Sequence, residues 1–254
     1  MFKIKMIATD LDRTLLREDK TVSNYTRSVL KRCMDAGIKV VLATGRPIRW
    51  VLEYLDPIPC DAAVYHNGAI IFINGEQAAS FGIPHEDVKK ILPLTPCGRA
   101  YVEINDILYG NEPAEDIWPG IPLTITDFSD KLPKQNADKI LFPMQTLEET
   151  AAVEKLLPNN YYIQLAENTV GMIMHRDANK LNGARFIARR FGIDLSEVAS
   201  FGDDYNDVAM LGGAGYGVAV ANAIPEAKAA AKFICGSNEE DGVAKWIEKN
   251  AIFP

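Results

Sequence analysis

Short apolar runs alternate with amphipathic stretches toward both ends of this chain, the pattern of a parallel sheet whose strands are joined by crossover helices. Near the N-terminus the spacing predicts a strand over residues 4–9, a helix over 24–36, a strand over 39–43, a helix after Pro47 and a strand over 62–65. Ser23 offers a side-chain oxygen to cap the first helix, and Gly37 the freedom to stop it. After Asn179 the alternation returns. It predicts a helix over 181–191, a strand over 198–201, a helix over 206–211, a strand over 217–220 and helices over 225–231 and 243–250.

The middle of the chain has a different rhythm. Asn74-Gly75 lies between two apolar stretches and reads as a hairpin turn within residues 69–81. Strand patterns at 99–104, 139–144, 161–165 and 170–175 mix with helical ones at 86–92 and 147–157, and a proline-rich loop runs from 113 to 122. This block reads as an insertion into an α/β domain. There is no internal repeat and no low-complexity tract.

Composition adds limits. The chain has 254 residues, 48% of them hydrophobic and 24% charged, enough to bury a sizeable core without a disulfide or structural metal. The net charge of -7 argues against nucleic acid as a partner, since phosphate-backbone binding shows as a clustered basic excess. Cys33, Cys60, Cys97 and Cys235 form no CxxC pair and read as isolated buried thiols. Lysines interrupt the N-terminal run, as a signal peptide would not allow, and no stretch is long and apolar enough to span a bilayer. The expectation is a cytoplasmic protein without membrane partners, either a monomer or a small homo-oligomer.

Candidate chemistry sits at strand ends. In MIATDLDRTLL an apolar run leads straight into Asp10, Asp12 and Thr14. Residues two apart on an extended chain point the same way, so both carboxylates can face the carboxyl end of the sheet, where open α/β sheets bind ligands. Two acids so placed repel each other, and a divalent cation relieves the repulsion. VVLATGR ends at Thr44, a hydroxyl donor to a phosphoryl oxygen, followed by Gly45 and Arg46. VASFGDDYND ends at Gly202 and supplies Asp203, Asp204, Asn206 and Asp207, an oxygen-rich set suited to magnesium.

Any single Asp-x-Asp also fits turn and capping roles. Four strand-end signatures in this order do not. GGAGYGVAVA follows a helix and leads into a strand, the reverse of a dinucleotide fingerprint. His66, His85 and His175 lack metal-ligand spacing, and His66 reads as structural. Tyr101, Glu103 and Trp118 read as packing residues, and Glu239-Glu240-Asp241 as a solvated face.

Taken together, DLDRT, ATGR, the lysine of DANKLNGA and GDDYND resemble the four motifs of the haloacid dehalogenase superfamily. The insertion between the second and third motifs is similar to that of the Cof-type sugar-phosphatase branch with its C2-type cap; YHNGA and EEDGVAKWI extend the likeness. The resemblance implies an α/β fold: a Rossmann-like parallel-sheet core with helices on both faces (1–81 and 179–254) and an inserted α/β cap (82–178). It implies a magnesium-dependent phosphatase acting on a small phosphorylated metabolite, a sugar phosphate by preference. Asp10 would be the nucleophile, Asp12 the acid and base, and Thr44 and Lys180 the holders of the phosphoryl group, with Gly45, Arg46 and Asn67 beside it. Asp10, the Asp12 carbonyl, Asp203, Asn206 and Asp207 would hold or orient Mg2+. Lys139 competes with Lys180, and Arg13 stands where most Cof-type members have glycine. A phosphomutase, or a non-enzymatic aspartyl phosphoacceptor, is the alternative.

Overall fold

A computed structural model of the chain describes residues 3–52, 57–95, 98–129, 131–166 and 169–252. It divides into two compact units, Met1–Ser80 with Asn179–Pro254, and Phe81–Ala178. Cys97 lies outside the described residues.

In the first unit, β1 (Met6–Thr9) is buried along its whole length. α1 (Asn24–Asp35) buries Thr26, Val29, Leu30 and Cys33, the i, i+3, i+4, i+7 stripe of an amphipathic helix. Burying Val29 and Leu30 contributes roughly 1.5–3 kcal/mol each. Ser23 caps α1 by accepting the Thr26 N–H at 3.0 Å, and Gly37, at φ 80°, takes the left-handed conformation just past its end. β2 (Lys39–Ala43), α2 (Ile48–Leu52) and β3 (Ala62–Tyr65) follow, then the hairpin of β4 (Ile70–Ile73) and β5 (Glu76–Ser80). Its turn is Asn74-Gly75, both residues at positive φ.

The inserted unit holds α3 (His85–Ile91), β6 (Tyr101–Ile104), β7 (Ile107–Gly110), β8 (Thr124–Ile125), β9 (Lys139–Pro143), α4 (Leu147–Glu154), β10 (Tyr161–Ala166) and β11 (Val170–His175). Its sheet runs β10-β11-β9-β6-β7-β8, antiparallel except for β7 against β8. The sequence pattern missed β7 and β8. Asn105-Asp106 turns β6 into β7 with both residues left-handed, φ 52° and 61°, a two-residue turn made without the usual glycine. α4 ends at Glu154, three residues short of expectation. Tyr101 is buried edge-on against Trp118, in keeping with packing roles, and Glu103 and Lys139 are buried register partners on β6 and β9.

The chain returns to the first unit with α5 (Lys180–Arg190), β12 (Val198–Gly202), α6 (Val208–Gly213), β13 (Tyr216–Ala219), α7 (Pro225–Ala230), β14 (Phe233–Ile234) and α8 (Gly242–Ile247). The sheet order is β14-β13-β12-β1-β2-β3-β4-β5. Pairs from β14 to β3 are parallel, while β4 and β5 are antiparallel, so the core sheet is mixed rather than wholly parallel. Helices flank it. The chain therefore has the expected α/β class with a separate, strand-rich insertion. β1 is central: β2 and β3 lie to one side of it and β12 and β13 to the other, which opens a crevice at its carboxyl end. Among the described residues no helix is long and apolar enough to cross a membrane. Cys33 is buried, but Cys60 and Cys235 are only half-buried, and all three are free thiols.

Candidate active site

Four strand ends and one helix start converge here. β1 delivers Asp10, whose N–H donates to Phe201 O of β12 at 3.0 Å, so the two acid-bearing ends are stitched side by side. β12 ends at Gly202. A Cβ there would stand 2.4 Å from Asp207 Cβ, so only glycine lets the turn fold Asp207 back onto the strand end. Asp207 Oδ2 then accepts the Asp203 and Asp204 N–H groups at 3.1 and 3.2 Å. Asp204 instead caps this turn through Tyr205 N–H.

Asn179 caps α5 by accepting Asn182 N–H at 2.8 Å, which sets Lys180 at the first helical position. Lys180 Nζ donates to Asp10 Oδ1 at 2.6 Å and to Asp207 Oδ1 at 2.8 Å, with all three residues buried. Lys139, the competing lysine, belongs to β9 of the inserted unit. Burial pushes the Asp10 carboxyl well above the usual range; Lys180 opposes the shift, and Asp207, Asp203 and Asp12 add to it. Burial works against the Lys180 charge, but Asp10 and Asp207 overcome it and hold the ammonium form. Asp203 is raised to about 7, by burial first and by Asp207 second.

Asp12 has the opposite character. Arg46 grips it with both arms of the guanidinium, Nε to Oδ2 at 2.7 Å and Nη2 to Oδ1 at 2.6 Å, and Lys20 Nζ reaches Oδ1 at 2.9 Å. Burial would raise this carboxyl, but Arg46 and then Lys20 bring it down to about 2. At the end of β2, Thr44 is buried and its Oγ accepts Arg46 N–H at 3.0 Å, with Gly45 between them against the Asn67 side chain. Asn67, left-handed at φ 55°, donates its N–H to Thr44 O at 2.9 Å and accepts from Asn206 Nδ2 at 2.9 Å. His66 is buried and joins this scaffold through its N–H to Arg46 O.

The structure thus gathers Asp10, Asp203, Asp207 and Lys180 in one cluster. It joins Asp12 to Arg46, and Asn67 to Asn206. Two participants, Lys20 and Asp241, escaped the sequence reading, which places Thr14 at the strand end but not its partner. Thr14 donates to Asp203 Oδ1 at 2.8 Å, a partner the motif DLDRT contains but does not announce. Lys20 lies in a charged turn with no pattern to mark it. The Glu239-Glu240-Asp241 run is not merely a solvated face, because Asp241 accepts from Ser23 and Thr26 hydroxyls and from Arg17. Arg13 sits at φ 55°, a conformation that suits glycine, and its side chain reaches Glu18 at 3.7 Å in solvent.

A divalent cation fits this donor set. One carboxylate oxygen each of Asp10, Asp203 and Asp207 lie within 4.8 Å of one another. Asp207 has both oxygens engaged, whereas Asp10 Oδ2 and Asp203 Oδ2 carry no hydrogen bond among the described residues. Asn206 Oδ1 is buried without a hydrogen-bond partner among the described residues, as expected of an acceptor awaiting a ligand. Hard oxygen donors of this kind suit magnesium.

A model of the haloacid dehalogenase-like hydrolase family matches residues 7–247. The chain belongs to that family. It is similar to the putative phosphatase YxeH of Bacillus subtilis, 31% identical, covering 96% of this chain and 97% of the relative. It is also similar to the 5-amino-6-(5-phospho-D-ribitylamino)uracil phosphatase YitU of Bacillus subtilis, 28% identical, covering 96% of each chain. Among solved structures, the haloalkanoate-superfamily phosphatase BT1666 of Bacteroides thetaiotaomicron superposes with a TM-score of 0.88 at 25% identity, covering 98% of this chain and 96% of the other. Family, fold and acidic cluster make this haloacid dehalogenase-type protein a phosphoric monoester hydrolase.

Proposed function

We propose that this hydrolase removes phosphate from a small phosphorylated sugar or polyol by way of an aspartyl-phosphate on Asp10. The observation that carries the reading is Asp10 itself, buried at a strand end with one oxygen held by Lys180 and the other unengaged. Asp10 attacks phosphorus while the bond to the leaving oxygen breaks and Asp12 protonates that oxygen. Asp12 takes that proton from solvent as the arriving phosphate anion raises the proton affinity of its carboxyl. Asp12 then takes a proton from water as the water attacks phosphorus, and the bond to Asp10 breaks to release phosphate and restore the carboxylate.

Thr44 and Lys180 hold the phosphoryl oxygens in this reading, with Gly45, Arg46 and Asn67 bordering them. Asp10, Asp203 and the Asp12 carbonyl would hold magnesium, with Asn206 completing the shell and Asp207 orienting it. Bound magnesium would offset the charge on the phosphoryl group. Residues 82–178 are the C2-type cap of a Cof-type enzyme. Support for a polyol phosphate comes from YitU, whose substrate carries its phosphate on a ribityl chain.

Magnesium-dependent phosphate release across a panel of phosphorylated sugars, polyols and nucleotides tests the proposal. Sugar or polyol phosphates should lead, and Asp10→Asn should abolish release. Undiminished release in that variant would overturn the mechanism. Isomer interconversion with little free phosphate would point to a mutase instead.

A further inference from the structure

We infer that Lys20 is a positioning residue for Asp12, and that Asp241 and Glu239, near the C-terminus, form the brace that presents it. The inference rests on Asp12 acting as the proton carrier described above.

Asp12 Oδ1 takes two cationic donors, Arg46 at 2.6 Å and Lys20 at 2.9 Å, while Oδ2 takes the second arm of Arg46 at 2.7 Å. Three hydrogen bonds from two directions fix both the position and the plane of the carboxylate. Arg46 comes from the end of β2, part of the rigid sheet. Lys20 comes from a tight turn that the chain secures with unusual care.

Within that turn Arg17 N–H donates to Thr21 O and Lys20 N–H to Arg17 O, both at 3.0 Å. Asp19 accepts Thr21 N–H at 2.9 Å and the Thr21 hydroxyl at 2.6 Å. Lys20 itself is left-handed, φ 65°, a conformation that disfavours a long side chain. From outside, Glu239 Oε1 accepts Glu18 N–H at 2.7 Å. Asp241 ties both flanks together: it accepts Arg17 Nη2 at 3.1 Å on one side, and the Ser23 and Thr26 hydroxyls at 2.7 and 3.1 Å on the other. Asp241 is also left-handed, φ 55°.

Stability does not explain the Lys20–Asp12 pair. The Lys20 side chain is 46% exposed, and an ion pair with so exposed a member adds little to folding. Two strained residues and a brace spanning more than 200 positions of sequence serve instead to keep one ammonium on one oxygen of Asp12. A proton carrier misaligned by a fraction of an ångström loses rate while the fold stays intact.

Leaving-group chemistry separates positioning from general structural support. An alkyl phosphate needs a proton on its leaving oxygen, whereas p-nitrophenolate departs without one. Lys20→Met should lower kcat/KM on the best alkyl phosphate by about ten-fold and on p-nitrophenyl phosphate by less than about two-fold. Lys20→Arg should restore most of the difference. Asp241→Ala should give the same ester-selective loss and add nothing further in the Lys20→Met background. Equal losses on both esters, or an unchanged rate on the alkyl ester, would overturn the role of Lys20. An additive Asp241→Ala effect would overturn the brace. Asp12→Ala serves as the control: if it hydrolyses the alkyl ester normally, the proton-carrier reading fails, whereas a dead Asp12→Ala beside an unaffected Lys20→Met defeats the positioning role alone.

Discussion

Lys180 Nζ stands 2.6 Å from Asp10 Oδ1, with both residues buried and 170 positions apart in sequence. A second bond to Asp207 makes Lys180 the hinge of a buried acid–base–acid triad. Lys180→Met leaves two buried carboxylates facing each other without a cation. Breaking a buried pair in this way costs about 3–5 kcal/mol, so urea denaturation of the metal-free variant should show a loss of that order. Turnover should fall by roughly 10²–10³, as when one charge-stabilising donor is removed. A stable, active variant would mean that the triad matters neither to the fold nor to the chemistry.

Legibility in the sequence followed the range of each interaction. β1, β2, β3 and β12 are largely apolar runs, because strands in a sheet flanked by helices have no solvent face, and their ends point to Asp10, Thr44 and Asp203. Ser23 and Gly37 act within a turn of α1 and could be read for the same reason. β7 could not, because Asn105-Asp106 replaces the glycine that marks such a turn. Thr14 on Asp203, Lys20 on Asp12 and Asp241 on Ser23 join or orient segments through tertiary packing. No local pattern encodes them, and Glu239-Glu240-Asp241 consequently looks like any charged surface run.

Arg13 offers a test of local strain. At φ 55° and ψ 7° it occupies the left-handed region, where a non-glycine residue costs roughly 1–2 kcal/mol. Glycine would remove that strain but widen the unfolded ensemble by about 0.4–1 kcal/mol. The Glu18 partner is exposed and contributes little, and the Asn222 bond to Arg13 O survives because it uses the backbone. Arg13→Gly should therefore stabilise the protein by about 0.5–1 kcal/mol, a rise of roughly 1–4 °C in Tm for a chain of this size. Its kcat should stay within about two-fold of the parent. A large change in rate would show that the Arg13 side chain acts on the reaction.

The raised Asp203 carboxyl makes metal binding depend on pH. In the folded, metal-free protein this group titrates at about 7, far above its unfolded value of 3.8, because burial and the neighbouring Asp207 disfavour its charge. Folding therefore favours the protonated form. The stability this group contributes is complete below the unfolded value and is lost as pH rises through about 7. A cation needs the carboxylate, so its binding releases the proton that folding retained. Magnesium affinity, measured by calorimetry, should weaken by about ten-fold for each pH unit below 7 through Asp203 alone, and more steeply wherever the raised Asp10 carboxyl is also protonated. Repeating the titration in buffers of different ionisation enthalpy should reveal proton release near pH 6 and little near pH 8. The gap in Tm between magnesium-loaded and magnesium-free protein should widen over the same interval, because the free form loses stability where the bound form gains affinity. An affinity flat across this range would mean that Asp203 is already ionised in the free protein and that Lys180 and Thr14 outweigh its burial.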